Sequence, residues 1–119
     1  MKYVLLLYRD DQPIEVTPEA VAAYKTFLSK ARTFGKRHGG NGLCPADEAK
    51  TISVREGRTV VTDGPFADTK EQLAGYNIYE CEDLAAAVRI AELLPWAPIS
   101  RVEIRPVVDL GEPRTRAYQ

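Results

Sequence analysis

"KYVLLLY", residues 2–8, decides how the rest of the chain can be arranged. The run is aromatic, β-branched and leucine-rich, and it stops at the charged turn Arg9-Asp10-Asp11. Side chains alternate across a strand, so Tyr3, Leu5 and Leu7 point one way and Val4, Leu6 and Tyr8 the other. Both sets are apolar. A strand of this kind is predicted to be covered on both of its faces.

Downstream, Thr17-Pro18-Glu19-Ala20 has the form of a helix start, with Thr17 as N-cap and Pro18 at the first helical position. Val21, Tyr24, Leu28, Ala31 and Phe34 or Gly35 then recur at steps of three and four, which predicts one apolar helix face. Gly39-Gly40 is expected to stop this helix, with His38 near its end as a solvated cation suited to the helix dipole. Asn41 to Glu48 has the composition of a loop. Thr51 to Arg55 and Arg58 to Thr62 alternate as strands around Glu56-Gly57, a strong hairpin signal. Gly75 to Cys81 is a further strand. Asp83 caps a second helix running to Leu94, with Leu84, Val88, Ala91 and Leu94 on its apolar face, and Pro95 ends it. Arg101 to Val107 alternates as a last strand.

Strand, helix, strands, helix, strand is the order of a ferredoxin-like α+β layer, with two helices on one face of an antiparallel sheet. Such a layer leaves its other sheet face bare, and here that face carries apolar residues of the first strand. A second copy packed sheet to sheet is the simplest cover. The expectation is a homodimer of one domain spanning residues 1–110, followed by a polar, flexible tail at 111–119.

Bulk composition is compatible with this. A chain of 119 residues with 45% apolar and 28% charged residues holds one core and is soluble in type. A net charge of −1 provides no field for nucleic acid or for an anionic membrane, so neither partner is expected. The N-terminal apolar run is too short for a signal peptide, and no segment has transmembrane length, so a cytoplasmic protein is expected. With one histidine and two separated cysteines, Cys44 and Cys81, neither a metal site nor any other cofactor is expected, and a disulfide is weakly supported.

The connection "TDGPFADTKEQLAGY", Thr62 to Tyr76, is longer than a strand link needs to be. Asp63 can serve a turn through its carboxylate, Gly64 permits positive φ, and Pro65 fixes its own φ. Phe66 is an aromatic in a polar loop and needs cover from its own domain, a partner or a ligand. Asp68, Lys70 and Glu71 place charges close by, and Gly75 before Tyr76 allows another backbone to come near. Loops borne on rigid sheets are where binding groups concentrate.

"VTDGPFADTKEQLAGY" (Val61 to Tyr76) resembles the signature of the DGPF group of YCII-related proteins. "MKYVLLLY" at the start, "GGNGLCP" (Gly39 to Pro45) and "RVEIRPV" (Arg101 to Val107) extend the resemblance over residues 1–110. It implies a dimeric α/β barrel in which two ferredoxin-like sheets face each other. It also implies kinship with small dehydrochlorinase- or lactone-isomerase-type enzymes, for which a His–Asp acid–base pair is proposed. In shorter members that histidine lies near the start of the first helix. Here Thr17 to Tyr24 contains none, and the pair does not carry over. The DGPF group is further similar to accessory proteins encoded beside extracytoplasmic-function sigma factors, which implies a regulatory or stress context.

Three functions are compatible with these residues. In the first, Asp63 is the acid–base residue of a small enzyme with its cleft at the dimer interface, its pKa raised by burial. Lys70 or Arg105 would hold an anionic substrate, and Tyr8, Phe66 and Tyr76 would line the pocket beside Glu71. In the second, the same cleft binds a small anionic or aromatic ligand, or a protein, without chemistry. In the third, the motif (Gly64, Pro65 and Gly75 included) only fixes a structural dimer.

Overall fold

The computed structural model describes residues 1–10, 15–67 and 69–111. Asp68, Asp11 and the tail beyond Gly111 lie outside the described residues. The elements are β1 (Lys2–Arg9), α1 (Pro18–Ala31), β2 (Lys36–Gly42), β3 (Lys50–Arg55), β4 (Arg58–Asp63), β5 (Gln72–Glu80), α2 (Leu84–Glu92) and β6 (Arg101–Pro106). Four strands form one antiparallel sheet in the order β2-β5-β1-β6, while β3 and β4 form a separate two-stranded sheet. With that hairpin set aside, the sheet order is that of a ferredoxin-like α+β fold.

The helix starts form as their sequences dictate. Thr17 Oγ1 accepts from the Ala20 N–H at 3.1 Å, with Pro18 just inside the helix. Asp83 Oδ1 accepts from the Ala86 N–H at 2.9 Å. Each bond satisfies one of the amides that a helix start leaves unpaired. The hairpin turns at Glu56 (φ 51°) and Gly57 (φ 75°), both left-handed, as a two-residue turn matched to strand twist requires.

Several expectations need correction. The first helix ends at Ala31, and Lys36–Gly42 is a strand where a helix end and a loop were expected. Backbone pairing with β5 overrides the poor strand propensity of "KRHGGNG". Gly40 is needed there, because a Cβ would lie 2.5 Å from Asn77 Oδ1 and 2.6 Å from the Tyr76 carbonyl. His38 is therefore a strand residue and not a helix-end cation. The buried helix faces match the expectation in part: Ala31, Ala91 and Leu94 are buried, and Tyr24, Leu28 and Phe34 pack against the core, but other positions differ. Phe27 and Ala31 are buried on α1 while Val21 is exposed; Ala87, Ile90 and Ala91 are buried on α2 while Leu84 and Val88 are exposed. Apolar residues occur all round both helices, and packing selects which stripe faces inward.

The core lies between the helices and one sheet face. Tyr3, Leu5, Phe27, Tyr79 and Ile90 are buried in it, with Leu7, Val102 and Ile104 packed against its edge. Phe27 and Tyr79 meet edge to face at 6.2 Å. Val4, Leu6 and Tyr8 alternate with these core residues and point away from the helices. In register with them on the same face are Ile78 opposite Val4 and Tyr76 opposite Leu6. This open face is apolar at its centre and only partly shielded by its own side chains.

Candidate functional site

The open face runs into a broad depression at the end of the sheet where β1 finishes and β5 and β6 begin. It measures about 870 Å³ and is lined by Tyr8, Asp10, Thr69, Lys70, Glu71, Arg101, Val102 and Glu103. Strand register explains the grouping. Tyr8 stands opposite Arg101 and Leu6 opposite Glu103, so the alternate residues of β6 fall on the face that carries Tyr8. The connection before β5 then brings in Thr69, Lys70 and Glu71. The Thr69 hydroxyl donates to the Glu71 carbonyl at 2.7 Å, and the Gln72 amide donates to the carbonyls of Ala67 (2.8 Å) and Thr69 (2.9 Å), holding this ramp in shape.

Charges in the depression are matched but loosely held. Lys70 Nζ is 3.6 Å from Asp10 Oδ2, and Arg101 Nε is 3.4 Å from Glu71 Oε1. These lengths exceed those of good charge-assisted hydrogen bonds, so an incoming carboxylate could displace a partner at small cost.

Of the residues singled out from sequence, Tyr8, Lys70 and Glu71 come together here. Arg105 is on the same strand as Arg101 and Glu103 and stands opposite Val4 on the open face. Tyr76 is on that face too, its hydroxyl accepting from Asn41 Nδ2 at 3.2 Å. Neither Asp63 nor Phe66 is among the lining residues. The Asp63 carboxylate accepts from Lys50 Nζ across the hairpin at 2.5 Å, and its side chain is 88% exposed. The turn it begins is closed by other groups: the Gly64 N–H donates to the Ala49 carbonyl (2.8 Å) and the Thr51 hydroxyl to the Gly64 carbonyl (2.8 Å). Gly64 uses its freedom, at φ 93°. Pro65 follows it, and Phe66 stands 91% exposed. At Gly75 the backbone of β2 comes close, and a Cβ would lie 3.1 Å from the Asn41 carbonyl.

The site residues that sequence reasoning passed over are Asp10, Thr69, Arg101 and Glu103. Alternation in "RVEIRP" was the available signal for Arg101 and Glu103. Two polar groupings were equally out of reach because β2 was not recognised. His38 Nε2 lies 2.8 Å from Glu80 Oε1 at the edge of the open face. That hydrogen bond, chiefly, holds the Glu80 carboxyl below its ordinary range. On the helix side, Asn77 is buried and its Oδ1 accepts from the Tyr24 hydroxyl (3.1 Å) and Arg37 Nε (3.3 Å). Cys44 and Cys81 are free thiols, and burial pushes the Cys81 thiol up. Among the described residues no three His, Cys, Asp or Glu side chains converge as a metal site, and no helix is long and apolar enough to cross a membrane.

A ferredoxin-like sheet with helices on one face, an apolar open face and a charged depression at its end defines a small α+β domain. The chain belongs to the YCII-related domain family, whose model matches residues 1–111. It is also similar to "Uncharacterized protein R00369" of Rhizobium meliloti (strain 1021), 42% identical over 67 residues. That match covers 55% of this chain and 54% of the relative, so the two correspond over about half of each.

Proposed function

We propose that this YCII-related domain is a homodimeric binding module that takes a small anionic or aromatic ligand where two open sheet faces meet. The observation that carries this reading is the continuity of the apolar face of Val4, Leu6, Tyr76 and Ile78 with the depression that holds Tyr8, Lys70 and Arg101. A partner laid on the face would roof the depression, excluding water and strengthening its charges towards a ligand. Tyr8 offers a ring, and Arg101 and Lys70 offer cations. The free thiols Cys44 and Cys81 suit a reducing, cytoplasmic setting. An accessory role in a sigma-factor-linked stress response fits a module that senses a small molecule.

Small aromatic acids, lactones and chlorinated hydroquinones are the compounds to screen by thermal shift. Compounds that stabilise the protein should lose most of their effect in Tyr8→Ala and in Arg101→Ala. Hits that keep their full effect in both variants would move the site elsewhere.

A second reading is favoured by the His38–Glu80 contact. An imidazole held by a carboxylate on the open face is an acid–base arrangement, with Nδ1 left for a substrate proton. In this reading the domain is a small lactone-isomerase- or dehydrochlorinase-like enzyme. Asp63 would enter only if the partner subunit covers it, since burial is what would adapt a lone carboxylate for proton transfer. Turnover that survives His38→Ala and Asp63→Asn together would remove both candidates.

A further inference from the structure

On the helix side of the sheet, where the end of α1 lies beside β2, a second depression of about 500 Å³ is lined by Leu28, Arg32, Gly35, Lys36, Arg37 and Tyr79. Its lining contains three cations and no acid. Arg37 is half-buried and held in place by neutral oxygens alone: Nε donates to Asn77 Oδ1 (3.3 Å), and Nη2 donates to the Tyr24 hydroxyl (3.1 Å) and the Gly40 carbonyl (3.0 Å). A guanidinium has five N–H donors, and these bonds leave the Nη1 pair available. No carboxylate pairs with Arg37, Arg32 or Lys36 among the described residues, so the charge of a fixed guanidinium stands uncompensated.

The second observation is independent of the charges. Tyr79 is 1% exposed, and its buried hydroxyl has no hydrogen-bond partner among the described residues. Buried polar groups are nearly always paired, and one left unpaired on a residue that lines a depression points to a group that comes from outside. The carbonyls at the end of α1 would oppose an anion. Two of them are already occupied, by the N–H groups of Thr33 on Lys30 and of Phe34 and Gly35 on Ala31.

We propose that this depression binds the phosphate group of a small phosphorylated molecule, with Arg37 Nη1 and the Tyr79 hydroxyl as donors and Arg32 and Lys36 as the cationic rim. A bare phosphate would leave much of the space empty, so the natural ligand carries an organic part over Leu28. The site is separate from the open face and does not depend on the dimer.

The test is a titration of the full chain with inorganic phosphate, followed by NMR and calorimetry at low ionic strength, with sodium chloride at matched ionic strength as control. Saturable binding of one phosphate per chain is expected. Arg32→Ala combined with Lys36→Ala should weaken it about tenfold or more, and Tyr79→Phe should weaken it about threefold, by loss of one donor to a charged acceptor. Both variants should keep the wild-type circular dichroism, which avoids removing Arg37 from its structural bonds. Absence of saturable binding, equal binding in these variants, or binding lost instead in Arg101→Ala would overturn the proposal.

Discussion

Asp63 meets Lys50 in the open, with the two side chains 88% and 62% exposed. Exposed ion pairs contribute about 0–1 kcal/mol. The turn at Gly64 is closed by backbone and by Thr51, not by the Asp63 carboxylate. Asp63→Asn and Asp63→Ala are therefore both expected to shift the unfolding free energy by less than about 1 kcal/mol in denaturant melts. A larger loss for Ala than for Asn would restore a turn role for the carboxylate. At Glu80 the bond from His38 depresses the carboxyl from its usual 4.5. The sign follows directly: a depressed carboxylate favours the fold above its unfolded value, and that contribution is lost as pH falls through the folded one. In an NMR titration Glu80 should therefore lose its proton below pH 4.5, and His38→Ala should return it towards that value. An unchanged midpoint in the variant would mean that the pair does not form in solution. Tyr79 behaves in the opposite sense, because burial raises its phenol above 10.0. The fold is favoured below pH 10 and loses that contribution as pH rises further.

Strand β2 shows where sequence reasoning stops. Its residues, "KRHGGNG", contain nothing that a strand prefers, and local rules assign them to a helix end and a loop. The strand exists because β5 provides a ladder and because Gly40 leaves room for Asn77 and Arg37. Those are contacts between segments about forty residues apart, and no local pattern records them. Strands β1, β5 and β6 and both helix caps were legible, since alternation and capping are local. The hairpin was legible as a hairpin, but its separation from the main sheet was not. For the candidate site, Lys70 and Glu71 were found through loop chemistry and Tyr8 as an aromatic of the first strand, whereas Arg101 and Glu103 needed the strand register. The role of Gly40 can be checked against Gly42, where a Cβ would meet nothing within 4 Å. Gly40→Ala should cost about 1–3 kcal/mol through overpacking, and Gly42→Ala should be close to neutral. Equal effects in thermal or denaturant unfolding would mean that β2 is not packed as described.

The whole molecule is thin for its breadth, 48 × 43 × 20 Å, and its shortest dimension fits one sheet with one layer of helices. A sheet in such a layer buries one face only. The other face here holds Val4, Leu6, Tyr76 and Ile78, flanked by Arg105 and Glu103 on one side and His38 and Asn41 on the other. An apolar centre with a polar rim is the composition of an interface core. Leu6 lies at its middle and faces away from the helices, so a charge placed there should leave the monomer folded while opposing association. Sedimentation equilibrium at micromolar concentration tests the claim most directly. The wild-type chain should sediment at about twice its 13.2 kDa, and Leu6→Lys at one chain mass with wild-type circular dichroism. A monomeric wild type, or a dimer that persists in Leu6→Lys, would contradict the pairing of open faces.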